Sequence, residues 1–179
     1  MNIRIKASVD CFPSAPVILD PNTANKWLVL SDDLTSVRNS WNYQAVPDNP
    51  ERFDWYSCVL GSEGFNSGTH CWDVEVKESS DWSLGVTTAS NQRKERDFFN
   101  TEVWCVWFDE DGAPESSMNE FPVKQKLDRV RVYLDDGGTV SFSDPVTNTH
   151  LHTFTTTFTH TLFPFFYGSS SLRILPFNS

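Results

Sequence analysis

Residues 69–77 read Thr69-His70-Cys71-Trp72-Asp73-Val74-Glu75-Val76-Lys77, and this stretch decides the fold class. Trp72, Val74 and Val76 alternate with Asp73, Glu75 and Lys77. Side chains two apart share one face of a strand, so one face here is apolar and the other charged. The next run repeats the pattern: Trp82, Leu84 and Val86 against Ser83, Gly85 and Thr87. Val130, Val132 and Leu134 then alternate with Arg129, Arg131 and Tyr133. Asp135-Asp136-Gly137-Gly138 follows, and strand character resumes at Thr139, Val140 and Phe142. Asp-Gly between alternating runs predicts a hairpin, because tight primed turns need a positive φ that glycine adopts freely.

Weaker strands read at 27–31, 57–61, 151–155, 162–167 and 172–175, while 36–42 suits strand or turn equally. The proline-bearing stretches 11–21 and 46–50 read as loops. Many short strands between turn signals, without sustained helical periodicity, predict an all-β sandwich or barrel. One strand departs from alternation. In Val103-Trp104-Cys105-Val106-Trp107-Phe108, one face carries Trp104, Val106 and Phe108; the other carries Val103, Cys105 and Trp107 and continues to Asp109. Such a run is buried on both sides, or has one face in the core and the other in a pocket. It leads into Asp109-Glu110-Asp111-Gly112, and an aromatic beside a charged loop suits a recognition surface.

A length of 179 residues fits one domain. Hydrophobic and charged fractions of 39% and 21% exclude a disordered tail. No apolar stretch approaches the roughly 18 residues of a membrane helix, and Met1 to Ser14 lack a signal-peptide layout. Cysteines stand at 11, 58, 71 and 105 with no C-x-x-C pair, so neither a zinc site nor a redox pair is indicated. Cys71 and Cys105 lie in apolar runs and are expected as small buried hydrophobes. With no N-x-S/T acceptor, the expected compartment is the reducing cytoplasm. A net charge of −10 argues against sequence-independent binding to nucleic acid or anionic lipid.

An ordered set of motifs resembles the PRY-SPRY (B30.2) family, the target-recognition module at the C-terminus of many tripartite-motif (TRIM) ubiquitin ligases. Leu19-Asp20-Pro21, followed by Asn22-Thr23-Ala24-Asn25, resembles the opening L-D-P motif. Trp72-Asp73-Val74-Glu75 resembles W-E-V-E, with Asp73 for its first glutamate. Leu134-Asp135-Asp136 resembles L-D-Y-E, with Asp136 for the tyrosine and Gly137 for the glutamate. Glu51-Arg52-Phe53-Asp54, Val140-Ser141-Phe142 and Leu172-Arg173-Ile174-Leu175-Pro176 match further family runs, and the likeness covers roughly residues 17–176.

The resemblance implies a bent β-sandwich of two antiparallel sheets, concanavalin-like in its jelly-roll architecture. It implies one domain over 1–179, with a PRY part at about 17–62 and a SPRY part at about 63–176. It implies no enzymatic centre, no cofactor and no metal. Family members bind proteins, or occasionally small ligands, through variable loops. The implied surface takes in Trp107 and Asp109, the loop from Asn91 to Phe99, and the segment near Tyr167. Arg93, Lys94, Phe98, Phe99, Trp107, Asp109, Glu110 and Tyr167 are the candidate partner-binding residues. The expected partner is a cytosolic protein or peptide. Ligase chemistry would reside in a RING domain, whose eight zinc ligands this chain lacks, and oligomerisation in a coiled coil elsewhere in the parent. Butyrophilin tails and fish nucleotide-binding receptors carry the same module, so the parent stays open.

Other constellations have competing readings. Asp73 and Glu75 share a strand face, as carboxylates do in some sandwich-fold glycosidases, or form a solvated face balanced by Lys77. His150 and His152 also share a face, yet the threonines around them suit a polar strand better than a metal site. Arg93, Lys94 and Arg96 could hold a phosphorylated ligand, as certain butyrophilins do, or line a solvated loop. From Asp97 to Phe121 there are seven acids and no lysine or arginine. If these rim the Trp107 surface, the partner carries lysine or arginine near an apolar anchor.

Overall fold

The computed structural model describes residues 16–112, 119–155 and 160–176. The strands are β1 (Leu28–Leu30), β2 (Ser36–Asn39), β3 (Cys58–Leu60), β4 (His70–Glu75), β5 (Asp81–Thr88) and β6 (Val103–Asp109). They continue as β7 (Glu120–Pro122), β8 (Arg129–Leu134), β9 (Thr139–Asp144), β10 (Thr149–Thr155), β11 (Leu162–Gly168) and β12 (Ser171–Leu175). No helix occurs among the described residues. One sheet has seven strands in the order β1-β2-β12-β4-β8-β9-β10; the other has five, in the order β3-β11-β5-β6-β7. All neighbours are antiparallel except β6 and β7, which pair in parallel with Cys105 opposite Glu120. No alternating pattern announces β7, and Pro122, which has no N–H to donate, suits its edge position.

The alternating strands bury their apolar faces between the sheets. Trp72, Val74, Val130, Val132, Val140 and Phe142 from one sheet meet Trp82, Leu84, Val86, Val106, Phe108 and Phe166 from the other. Each such side chain contributes about 1.5–3 kcal/mol on burial. The hairpin between β8 and β9 forms as its residues direct. Asp135 Oδ1 accepts the Gly137 and Thr139 amides, and Gly138 takes a φ of 89°. The ambiguous 36–42 stretch divides: β2 ends at Asn39, and the chain turns through Trp41 at a φ of 59°.

Asp73 and Glu75 lie on the outer face of the seven-stranded sheet, and cations occupy both. Arg131 holds Asp73 through two hydrogen bonds of 2.7 and 2.8 Å. Arg173 and Lys77 reach Glu75 at 3.4 and 3.8 Å. The expected shared face of His150 and His152 is corrected by a β-bulge. His150 opposes Ser143 and His152 opposes Phe142, so one extra residue turns His152 to the core side. There its ring stacks on Phe121 at 4.2 Å. Cys71 is disulfide-bonded, a correction to its reading as a free apolar thiol, whereas Cys58 and Cys105 are buried free thiols.

The second apolar face of β6 also finds a cover. Phe53, Cys58, Leu60, Phe98, Val103, Cys105 and Phe165 form a separate cluster on the outer face of the five-stranded sheet. Neither segment that supplies this cover, Phe53 or the loop bearing Phe98, is a strand of that sheet.

Candidate partner-binding surface

The outer face of the five-stranded sheet is a series of cross-strand rows. Leu60, Phe165, Gly85, Cys105 and Glu120 form one row. Cys58, Tyr167, Ser83, Trp107 and Pro122 form the next. Asp81 and Asp109 then oppose each other at the ends of β5 and β6. Cover thins along this series. Cys105 and Phe165 are fully buried, Tyr167 and Trp107 half-buried, and Glu110 beyond them exposed.

The cover is an aromatic assembly. Phe98 meets Phe53, Phe99 and Phe165 edge-on at centroid distances of 4.9, 5.0 and 5.4 Å. Phe99 and Tyr56 each lie within 6.3 Å of the Tyr167 ring. Perpendicular contacts of this kind add about 0.5–1.5 kcal/mol each beyond area burial. Asn91 holds the loop behind them: its Nδ2 donates to Thr87 Oγ1 and to the Phe98 carbonyl, and its Oδ1 accepts from Asn100 Nδ2. The Tyr56 hydroxyl donates to the Arg96 carbonyl, closing the loop over the sheet.

The eight candidate residues therefore divide. Trp107, Asp109 and Tyr167 share the open end of the face, with Phe99 at its margin and Glu110 in the adjoining turn. Phe98 lies beneath them at 0% exposure, so it supports the surface and does not form part of it. Arg93 and Lys94 face elsewhere. Arg93 donates to the carbonyls of Glu51 and Ala89, and burial lowers its pKa. Lys94 lies 3.4 Å from both Asp48 and Asp54. Both cations bind the 48–54 segment to the loop, so the donors named in the phosphate-pocket reading already have partners within the domain.

Asp81 was missed by the sequence reading. Its parity with Ser83 and Gly85 placed it on the non-core face, but only the β5–β6 register brings it opposite Asp109. Its Oδ1 is buried with no hydrogen-bond partner among the described residues. Asp109 Oδ1 accepts the Asp111 amide, and Gly112, at a φ of 74°, completes the turn. The Tyr167 hydroxyl is pushed up to about 12, by burial first and then by Asp81, Cys58, Tyr56 and Asp109. Trp41 and Trp55 were also missed; they are 65% and 60% exposed. Asn39 places the turn bearing Trp41 near the same end, since its amide donates to Ser170 O and its Nδ2 to Ser57 Oγ.

The family model for PRY, the SPRY-associated domain, matches residues 17–65, and that for the SPRY domain matches residues 69–176. The chain is 41% identical to mouse butyrophilin subfamily 2 member A2 over 162 residues, 86% of this chain and 31% of that protein. It is 40% identical to human zinc finger protein RFP over 162 residues, again 86% and 31%. Against Xenopus laevis nuclear factor 7, ovary, it is 39% identical over 156 residues, 84% and 26%. The chain thus spans about a third or less of these relatives. Among solved structures, the TRIM65 PSpry domain superposes with a TM-score of 0.77 at 21% identity, covering 95% of this chain and all of that one. Stonustoxin superposes with a TM-score of 0.71 at 28% identity, covering 89% of this chain and 28% of that one. By its two domain matches, its relatives and its two-sheet fold, the chain belongs to the PRY-SPRY (B30.2) family.

Proposed function

We propose that this domain is a non-catalytic recognition module whose open sheet end binds a basic segment of a cytosolic protein or peptide. One observation carries this reading: Trp107 and Tyr167 stand half-buried in one row of a rigid sheet, with a sealed aromatic layer behind them and acids at the rim. A half-buried tryptophan held on a strand offers a large apolar contact at little entropic cost, as binding hot spots do. Asp109, Glu110 and Asp111 steer a cationic partner toward it and disfavour acidic ones. In this reading the module serves a TRIM-type ubiquitin ligase as its target-recognition part. Zinc-bound ligase chemistry and coiled-coil oligomerisation then belong to other segments of the parent.

The test is a quantitative pull-down from cytosolic lysate with wild type and a folded Trp107→Ala/Asp109→Ala variant, followed by affinity measurement with the captured protein. The reading expects proteins retained only by wild type, with affinity that falls as salt rises. Equal retention by both variants, or affinity indifferent to salt, contradicts it.

A further inference from the structure

We propose that Asp81 and Asp109 together seat one guanidinium group, an arginine side chain of the bound protein or peptide, against the rings of Trp107 and Tyr167. The proposal rests on the recognition surface described above and names the chemistry at its centre. Register sets the two aspartates directly opposite on neighbouring strands. Like charges so placed repel. No lysine, arginine or histidine among the described residues forms an ion pair with either. Among the described residues Asp81 Oδ1 is buried without a hydrogen bond, and Asp109 Oδ1 accepts the Asp111 amide. Among the described residues no cation offsets the pair, and both aspartates help hold the proton on Tyr167.

The neighbouring residues select the form of the cation. Trp107 lies two residues before Asp109 and Tyr167 lies across Ser83 from it, so aromatic groups stand in the row beside the carboxylates. Ser83, between them, is small and buried, and its hydroxyl donates to the Val106 carbonyl. A guanidinium is flat, sheds water readily, stacks on an indole and presents several N–H donors to two carboxylates. A lysine ammonium matches the charge but not the stacking. A divalent cation gains nothing from the flanking rings, and among the described residues no group of three or more His, Cys, Asp or Glu side chains is placed to hold a metal ion.

The test uses random linear peptides displayed on phage, selected on the whole domain and counter-selected on Trp107→Ala. The expected outcome is arginine enriched at one position of the selected peptides. In a synthetic copy, replacing that arginine with neutral, isosteric citrulline should weaken binding to wild type about 30-fold and to Asp81→Asn/Asp109→Asn less than about 3-fold. Because the double variant removes a repulsion, its Tm should equal or exceed that of wild type. Trp107-dependent peptides without enriched arginine, or an equal citrulline effect on both proteins, overturn the guanidinium seat and leave the recognition surface standing. Failure to select any Trp107-dependent peptide overturns both. A wild-type Tm raised by calcium alone, and not in the double variant, assigns the pair to a metal and overturns the proposal.

Discussion

Trp107 and Tyr167 are each paired in register with Ser83, so the two aromatic residues stand one strand apart on either side of a small buried hydroxyl. The arrangement explains how one face of one sheet is both core and surface. A row deeper, Gly85 and Cys105 lie under the Phe98 layer; a row outward, Asp81 and Asp109 have no such layer. The anchor sits where the cover ends.

Phe98 and Trp107 should respond to truncation in opposite ways. Phe98 is fully enclosed by Phe53, Phe99 and Phe165, so Phe98→Ala should cost about 3–5 kcal/mol in chemical denaturation. Trp107→Ala should leave most of the stability and weaken the partner complex by at least about 30-fold. Unfolding curves beside binding isotherms make the comparison.

Gly85 should tolerate no side chain. A Cβ there would collide with the Trp104 carbonyl and lie 2.8 Å from Cys105 Cα, both backbone atoms of the neighbouring strand. Gly85→Ala should force β5 from β6 and cost at least ~2 kcal/mol, read as a lower midpoint in urea. Gly112→Ala offers the contrast: among the described residues nothing lies within 4 Å of a Cβ there, and its penalty comes from its φ of 74°.

Asp73 and Arg131 should show measurable coupling. Their side chains are 23% and 31% exposed and their geometry is bidentate, which distinguishes them from an ordinary surface pair. A double-mutant cycle with Asp73→Asn and Arg131→Met should give about 1 kcal/mol. A coupling indistinguishable from zero would reduce the pair to decoration on the outer face.

Tyr167 should make the domain sensitive to alkali. Its hydroxyl, ordinarily near 10.0, is raised to about 12 in the folded chain, so the native state holds this proton more tightly than the unfolded one. The stability tied to this shift is complete below about pH 10 and is lost as pH rises toward about 12. Relative to Tyr167→Phe, wild type should lose stability across that window. Removing the Asp81 and Asp109 charges should bring the phenol titration, read by ultraviolet absorbance, to lower pH.

The sequence reading succeeded where structure is local. Alternation at Trp72, Val74 and Val76 and at Val130, Val132 and Leu134 marked β4 and β8, and the Asp-Gly signal marked the turn at Gly138. It failed where a distant segment settles the outcome. Arg93 and Lys94 looked like free loop cations because nothing local reveals that Asp48, Glu51 and Asp54 lie against them. His150 and His152 keep period two in sequence, but the extra residue of a bulge shows only against β9.

Alternation determined that the chain builds strands with apolar faces, and the run from Val103 to Phe108 determined that one strand has two such faces. Both follow from backbone geometry, which fixes the side of the sheet to which each residue points. Which part of the second face stays open was decided only in three dimensions. Phe53 comes from about fifty residues before β6, Phe98 from a loop, and Asp81 meets Asp109 through strand register. Cover and register are pairings between distant segments, chosen by the packing of the whole sandwich. That packing leaves Trp107 and Tyr167 at the edge of their cover.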